Sequence, residues 1–439
     1  MYKLSYVILI LLIGIVVAKA QKNKNDKSVY FTYGVNLYTD ALIIPDIKKD
    51  SAEVYIIFKF VYDALQFTQV NPLENPKPYR AIAESEIIFT DEQGIIRGRL
   101  HWNDTLFVDT FEETNAKDKF LFGQVSKKLV SGNYKVSVEL LNKVRQDNNI
   151  NNFDIKIPAS QHANIYKPIF GDFKDIKQTC FTPFIWDNKI NFSSKSAFAI
   201  IAISNTKLGE QFFFTLKRLE SKYIDFETDS IDFTSSATVI DNKSLTFDRN
   251  TNCWNFLPSQ DLQDAYLLIN LPSNKFTPGK YSLTIFSENV KKEFNFNVEW
   301  IDMPYSLQDL EYSYKLLYYI LTDQQYDELT SGNDKEIMHK LSDYWKSKDP
   351  TIGTPFNEAM YQYYQRADYA FFNFQTIQEK DGAKTIRGKI YILYGKPDAI
   401  KNSFVSAKSQ EVWYYKKINK KFIFEIKDKG IFELISIEG

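Results

Sequence analysis

The sequence has little of what most enzymes and metalloproteins use for chemistry. Among its 439 residues there are only two cysteines and three histidines. The histidines, His101, His162 and His339, lie in three separate regions; no two have the spacing of metal ligands, and none accompanies a cysteine pair. No phosphate-binding loop, dinucleotide fingerprint or nucleophile elbow is present. The sequence therefore predicts no metal site and no cofactor.

Net charge is also nearly absent. The formal net charge is −1, from 54 basic and 55 acidic residues. Removal of the first 20 residues would take away two lysines and no acidic residue, and would leave −3. A chain so close to neutrality lacks the positive excess of a nucleic-acid-binding protein, so no nucleic acid is expected as a partner.

Long hydrophobic runs are missing except at the start. Residues 1–20 have the form of a secretory signal peptide, with Lys3 before an apolar core and Ala18-Lys19-Ala20 as the cleavage site. The core, Tyr6–Val17, is shorter than the ~20 residues that a spanning helix needs, which favours cleavage over an uncleaved membrane anchor. No cysteine follows the site, so a lipoprotein is not expected. We predict an exported mature chain that begins at Gln21 and has no transmembrane span.

The two cysteines, Cys180 and Cys253, are 73 positions apart. In an exported protein such a pair can form a disulfide. Two buried thiols are the alternative, and the sequence leaves both open.

Most of the chain has the pattern of β-strands. Segments 28–158 and 163–300 contain short runs rich in β-branched and aromatic residues, separated by turn signals. Each segment also has a glycine-containing turn followed by a tyrosine, Tyr134 or Tyr281, and then an alternating strand. In β-sandwiches a tyrosine at such a corner can bond back to nearby backbone. We predict two tandem immunoglobulin-like β-sandwiches, with one larger β domain as the alternative.

The last segment, 305–439, changes to a helical pattern and then back to strands. Thr322 with Gln325 predicts a capping box, and Thr354-Pro355 predicts the start of the longest helix. The apolar stripe of that helix is predicted to comprise Met360, Tyr363, Ala367, Ala370, Phe374 and Ile377. Four strands of an antiparallel meander are expected at Lys389–Tyr394, Glu411–Lys416, Lys421–Ile426 and Ile431–Ile437. The segment is therefore predicted to be an α+β domain, in a multidomain, mostly β protein.

Residues 305–439 resemble the GWxTD-domain family of exported bacterial proteins. The resemblance rests on residues in the family's order and spacing: Trp345, Asp349-Pro350, Thr354, Asn357-Glu358, Arg366, Gly382, Thr385, Arg387-Gly388, Tyr391, Gly395, Pro397, Trp413 and Tyr415. Two positions of the name-giving motif differ, because Ala383 stands at its tryptophan and Ile386 at its aspartate. The resemblance implies a divergent member that is exported to the periplasm or cell surface of a bacterium, with β domains ahead of the signature domain and no established reaction.

Arginine is scarce, with eight residues in a chain that has 46 lysines. Where lysine is so favoured, an arginine suggests a need for a planar, bidentate donor. Arg366 and Arg387 are the two in segment 305–439. They either fix helix to sheet, with Asp349, Glu358 or backbone carbonyls as partners, or form an anion-binding pair. Trp345 is a further candidate binding residue, and Gly382, Thr385, Gly388 and Gly395 are expected to permit turns or close packing.

Three functions fit these observations. The first is a non-enzymatic, exported interaction protein that binds a protein or a cell-envelope component. The second is a hydrolase acting on polysaccharide or peptide through paired carboxylates, such as Asp349 and Glu358 with Glu411. The third is a carbohydrate-binding protein, which would present a flat row of tryptophan or tyrosine on a sandwich face. The scarcity of histidine and the missing motif carboxylate favour the first.

Overall fold

The computed structural model describes residues 36–46, 50–71, 75–141, 149–159, 162–207, 209–219, 232–241, 243–248, 251, 253–258, 265–405 and 408–439. The predicted signal peptide, residues 1–20, lies outside these ranges. The chain divides into two compact units between Asp302 and Met303, a position between the predicted segments 163–300 and 305–439. With 49% strand and 22% helix, the protein is mostly β, as predicted. No helix in the described ranges is long and apolar enough to cross a membrane.

The first unit begins with eight strands that form two sheets around one core. They are β1 (Leu37–Asp46), β2 (Ser51–Val61), β3 (Phe67–Gln69), β4 (Tyr79–Asp91), β5 (Ile96–Val108), β6 (Phe120–Val130), β7 (Gly132–Leu140) and β8 (Asn149–Ile157). A one-turn helix, α1 (Phe111–Thr114), follows β5. One sheet has the order β1-β2-β6; in the other, β5 and β7 flank β4, and β8 pairs with β7. Alternate residues of β4 are buried, as a strand with one face on a core requires.

A second pair of sheets completes this unit. Its strands are β9 (Asn164–Ile165), β10 (Ile169–Phe173), β11 (Phe181–Pro183), β12 (Lys189–Asn191), β13 (Ala197–Ser204), β14 (Phe213–Arg218), β15 (Asp232–Ser236), β16 (Thr238–Asp241), β17 (Lys243–Asp248), β18 (Cys253–Pro258), β19 (Ala265–Leu271), β20 (Gly279–Phe286) and β21 (Lys291–Glu299). One sheet has the order β16-β19-β13-β10-β11-β18-β17, and the other β12-β21-β20-β14-β15. Because β16 and β17 follow each other in the chain yet lie at opposite ends of their sheet, that sheet curls strongly. Cys180 and Cys253 form a disulfide beside it.

Both predicted tyrosine corners are present. The Tyr134 hydroxyl donates to the Val130 carbonyl at 3.0 Å, and the Tyr281 hydroxyl to the Thr277 carbonyl at 2.9 Å. Each tyrosine lies near the start of its strand, β7 or β20, and is buried. The bond spans four residues in both cases, so the local sequence was sufficient to predict it.

The second unit has helices followed by a four-stranded sheet. The helices are α2 (Leu310–Leu316), α3 (Asp323–Thr330), α4 (Asp334–Ser347), α5 (Glu358–Asn373) and α6 (Ile386–Tyr394). The strands are β22 (Ala399–Val405), β23 (Lys408–Tyr415), β24 (Lys420–Ile426) and β25 (Phe432–Glu438), paired in chain order as an antiparallel meander. The predicted capping box is present at the start of α3.

Three details of the predicted α+β segment were wrong. The segment Lys389–Tyr394, predicted as a strand, is helical, and β22 is the first strand of the meander instead. Asn357, rather than Thr354, caps α5, because its side chain accepts from the Met360 amide. Ile377 lies beyond the end of α5 and is 71% exposed, so it does not extend the apolar stripe.

Candidate functional site

The motif segment 381–388 forms a tight turn that starts α6. Thr385 caps the helix by accepting from the Gly388 amide at 3.1 Å, and its hydroxyl donates to the Gly382 carbonyl at 2.8 Å. A Cβ on Gly382 would lie 2.1 Å from the Ala370 carbonyl oxygen, and one on Gly388 would lie 2.0 Å from the Gly382 carbonyl oxygen. Gly382 therefore allows the turn to contact the backbone of α5, and Gly388 allows α6 to contact the turn. The motif residues thus pack α6 and the turn against α5.

The two changed motif positions both lie within this segment. Ala383 is fully buried, and its carbonyl accepts from the Tyr319 hydroxyl at 3.0 Å. Ile386 is the first residue of α6. An aspartate there would place a carboxylate at the positive end of the helix dipole, and isoleucine removes it. This chain therefore presents no acidic side chain at that position of the turn.

Arg387 connects α6 to the sheet. Its guanidinium lies 3.4 Å from the Glu411 carboxylate and 3.4 Å from the centre of the Phe432 ring. Glu411 also accepts from the Trp413 indole N–H at 2.8 Å. Burial lowers the pKa of Arg387, and the negative charge of Glu411 opposes that shift. Arg387 and Glu411 hold helix to sheet, so neither is available to a ligand as an unpaired charge.

Arg366 is in a different situation. It is half-buried on α5, and its guanidinium lies against Gly395, where a Cβ would be 3.2 Å away. Gly395 ends α6 with a φ of 79°, a conformation that favours glycine. Among the described residues, none forms a hydrogen bond or ion pair with Arg366. A cation at this helix end is favourable for the helix dipole and leaves the guanidinium donors free for an anion.

The two arginines do not form the pair that the sequence suggested. Arg387 is in the first turn of α6, whereas Arg366 lies at the residue that follows its last turn. Eight residues of helix separate the two ends by roughly 12 Å. The two guanidinium groups therefore contact different parts of the domain, Arg387 with Glu411 and Phe432 and Arg366 with Gly395.

Exposed apolar residues lie near the C-terminal end of α6, where Arg366 contacts Gly395. Tyr394 is 37% exposed and its ring lies 5.2 Å from that of Phe422. Phe422 is paired across the sheet with Ile437, which is 55% exposed. The ammonium group of Lys420 lies 5.7 Å from the centre of the Tyr394 ring. We call the residues Arg366, Tyr394, Lys420 and Ile437 the Tyr394 surface; it combines an apolar area with two cations.

The carboxylates proposed for catalysis are held by structural contacts. Asp349 accepts from the Thr351 amide at 2.9 Å, and Glu358 accepts from the Thr351 hydroxyl. In the described ranges no contact joins either of them to Glu411, which is bonded to Arg387 and Trp413. The arrangement is that of a loop fastened to the start of α5.

Trp345 is a core residue. It is buried and packs against the rings of Tyr363 and Tyr364 at 5.4 and 5.5 Å. Its indole N–H donates to the Tyr364 hydroxyl at 3.4 Å, and its carbonyl accepts from Asn357. The side chain therefore has no face for a ligand.

One described cavity is lined by Leu65, Arg80, Ile82, Glu84 and Leu141 in the first unit. Another, in the second unit, is lined by Gln375, Ile377, Lys380 and Gly430, and it borders the motif segment beside Asp381. Within the described ranges, no group of three or more His, Cys, Asp or Glu side chains could hold a metal ion. The outer face of the sheet β12-β21-β20-β14-β15 carries a stacked phenylalanine pair, Phe213 and Phe286, with ring centres 5.9 Å apart.

Asp368 is a half-buried acidic residue that no sequence pattern singles out. It lies on α5 and accepts from the amides of Tyr305 and Ser306 at 2.6 and 2.9 Å. Burial raises its pKa to about 7, while these hydrogen bonds act in the opposite direction. The carboxylate fastens the start of the second unit to its longest described helix.

We expect the stability of the second unit to depend on the ionisation of Asp368. Its folded-state pKa is raised above the unfolded value of about 3.9, so the favourable contribution is complete below pH ~4 and is lost as pH rises through 7. The free energy of unfolding should fall with pH by at most about 1.4 kcal/mol per pH unit. Urea unfolding of the parent protein and of Asp368→Asn between pH 4.5 and 8 measures this slope. A slope that is equal in the two proteins would contradict this assignment.

These features define the class of the C-terminal unit: an α+β domain in which a glycine-rich turn packs one helix onto another and onto a meander. Residues 285–433 match the model of the GWxTD domain, so the C-terminal part of this chain is a GWxTD domain. The match begins within β20, about 20 residues before the predicted boundary at 305. A search of curated proteins gives no match.

Solved structures share only distant similarity. A putative beta-galactosidase from Bacteroides fragilis is 12% identical, with 32% of this chain and 17% of that chain covered and a TM-score of 0.19. A Salmonella alpha-2-macroglobulin mutant is 13% identical, with 62% and 17% covered and a TM-score of 0.16. The C-terminal domain of the Streptococcus agalactiae AgI/II polypeptide BspA is 8% identical, with 63% and 98% covered and a TM-score of 0.14. This chain spans less than a fifth of the first two, and similarities this weak carry no functional argument.

Proposed function

We propose that this chain is an exported, non-enzymatic interaction protein of the bacterial cell envelope. Its GWxTD domain binds a protein or another envelope component through the Tyr394 surface. The observation that carries the proposal is the state of the two arginines. Arg387 is bound to Glu411 and Phe432, whereas Arg366 has no hydrogen bond or ion pair among the described residues; it lies against Gly395, which follows the exposed Tyr394, and its charge acts on Tyr415.

The chemistry of the surface suggests its ligand. Arg366 and Lys420 can bind carboxylates or other anions, and Tyr394 and Ile437 can bury apolar groups. An acidic segment with apolar residues fits both features. Aromatic and arginine side chains are also the ones that contribute most to protein interfaces.

For the first unit we propose two tandem immunoglobulin-like sandwiches. The order β5-β4-β7-β8 opposite β1-β2-β6 supports this, as do the two tyrosine corners. In the second sheet pair, β12 runs parallel to β21 while the other pairs of its sheet are antiparallel. An edge strand of this kind is compatible with an immunoglobulin-like arrangement.

The hydrolase and carbohydrate-binding functions have less support. A glycosidase needs two carboxyl groups facing each other across a substrate cleft. Asp349 and Glu358 are both engaged by Thr351, and neither lines a described cavity. A carbohydrate-binding face would carry a flat row of tryptophan or tyrosine. On the outer face of the sheet β12-β21-β20-β14-β15, the stacked aromatic pair among the described residues is Phe213 with Phe286.

The proposal predicts that changes on the Tyr394 surface abolish binding without unfolding the domain. We expect Arg366→Ala with Tyr394→Ser to reduce capture of the partner from envelope extract at least tenfold. Ile400→Ser is the matched control. Ile400 is 53% exposed and lies in the same cross-strand row as Ile437, three strands away, or about 14 Å.

Quantitative mass spectrometry of the captured proteins, with circular dichroism to check folding, measures this effect. Equal capture by the folded double variant and by Ile400→Ser would contradict the proposed surface. Turnover of a glycan or peptide that depends on Glu358 would favour the hydrolase instead.

A further inference from the structure

A loop of the second sheet pair, Phe184–Asn188, is bound by buried charged residues of the first. The Asp40 carboxylate, on β1, accepts from the amides of Trp186 at 3.0 Å and Asn188 at 2.6 Å. The ammonium group of Lys59, on β2, donates to the Phe184 carbonyl at 2.7 Å. These bonds join residues more than 120 positions apart, so they tie the two sheet pairs together.

The loop also contributes a carboxylate in the opposite direction. Asp187 accepts from the Thr39 amide at 2.9 Å and from the Asn151 side chain at 2.8 Å. Lys167 is a further charged group near Asp40 and Asp187. The charges that meet here are therefore two carboxylates and two ammonium groups, contributed by β1, by β2, by the loop and by the segment between β9 and β10.

Aromatic rings surround Lys59. Its ammonium group lies 2.9 Å from the centre of the Trp186 ring, 4.6 Å from Phe120 and 5.5 Å from Tyr38. Such cation–π contacts are strongest where the cation is desolvated, and Lys59 is only 3% exposed. Burial lowers the pKa of Lys59 well below its usual value, and the charges of Asp40 and Asp187 oppose that shift, so the ammonium form depends on these partners.

The backbone of the loop is strained. Ile185, Asp187 and Asn188 have φ values of 54°, 56° and 59°. Positive φ is rare for a non-glycine residue and is an outlier for a β-branched one such as Ile185. Conformations like these persist only where surrounding contacts determine them. Those contacts are the hydrogen bonds that Asp40 accepts from the loop amides and the one that Lys59 donates to the Phe184 carbonyl.

The aromatic contacts continue away from the loop. Tyr55 on β2 packs edge-on against Trp254 on β18, with ring centres 4.8 Å apart. One hydrophobic core extends through both sheet pairs, from Leu37 to Tyr266. Interfaces between domains that are large and apolar suppress relative motion.

We propose that Phe184–Asn188 is a latch that fixes the two sheet pairs into one rigid arm. The chain between β8 and β9 then does not act as a hinge. The arm then has a fixed length and a fixed angle between the two sheet pairs, so any group attached to it has a defined position. Asp40 and Lys59 are positioning residues for the latch.

Distance measurements between spin labels on the full chain test this proposal. Labels at Ile96→Cys on β5 and Leu257→Cys on β18 place one exposed probe on each sheet pair. We expect a single narrow distance distribution for the parent protein. Asp40→Asn with Lys59→Met should at least double its width. The matched control, Arg99→Met, removes an exposed ion pair with Glu86 and should leave the width unchanged.

Two results would overturn the latch. A broad distribution in the parent protein would show that the pairs already move, whether or not the variant folds. An unchanged narrow distribution in the folded variant would show that the aromatic core alone fixes the arm. If Asp40→Asn with Lys59→Met does not fold, Asn151→Ala removes a single bond to Asp187 and should widen the distribution by a smaller amount. No widening in that variant would count against the latch.

Discussion

Replacing Gly388 by alanine is expected to lower the free energy of unfolding of the GWxTD domain by roughly 3 kcal/mol or more. The new Cβ would lie 2.0 Å from the Gly382 carbonyl oxygen and 2.9 Å from the Ala383 Cα. Both atoms belong to the backbone of the turn, which Thr385 and the end of α5 hold in place. No side-chain rotation can relieve the clash, so α6 must move away from the turn at residues 382–383.

Calorimetry of the full chain measures the effect as a lower melting temperature for the transition of residues 303–439. Lys389→Ala is the matched control, because Lys389 is the next residue of α6 and is exposed. The control should change stability by less than about 0.5 kcal/mol. If Gly388→Ala lowered the stability of the domain no more than Lys389→Ala does, that result would contradict the close contact between the turn and α6.

Removal of the disulfide has the second large effect. Cys180 and Cys253 close a loop of 73 residues. By loop-closure entropy, opening it should cost the first unit roughly 4 kcal/mol. Trp254 follows Cys253 and packs against Tyr55 of the other sheet pair, so the loss should extend to the contact between the pairs.

The Cys180→Ala, Cys253→Ala variant, or the parent protein with a reducing agent, measures this loss. The GWxTD domain is an internal control, because residues 303–439 contain no cysteine and their transition should not shift. A first unit that melts at the same temperature with and without the disulfide would contradict the prediction.

The sequence predicted well the features that depend on residues close together in the chain. The tyrosine corners span four residues, and the Thr322–Gln325 capping box spans three. Helix α6 was missed because Lys389–Tyr394 is rich in β-branched and aromatic side chains, as a strand would be. The helix forms because Thr385 caps it and because Gly382 and Gly388 let it pack against α5, which the local pattern does not reveal.

The candidate site was predicted less well because it depends on contacts between residues that are far apart in the chain. Arg366 and Arg387 are 21 positions apart, and no sequence pattern shows that they lie at opposite ends of α6. Lys59 and Asp40 have their partners more than 120 residues away. Their identity as buried charges depends on the tertiary fold, because most lysines and aspartates are exposed.

The central claim is that the GWxTD domain of this chain is a binding module that uses the Tyr394 surface. Site-specific photocrosslinking in cells tests it most directly, with a photoreactive phenylalanine analogue placed at Tyr394 in one protein and at Ile400 in another. The account predicts a crosslink to one partner from position 394 that disappears with Arg366→Ala, and no such crosslink from position 400. Equal crosslinking from the two positions, or a partner retained by the folded Arg366→Ala variant, would contradict it.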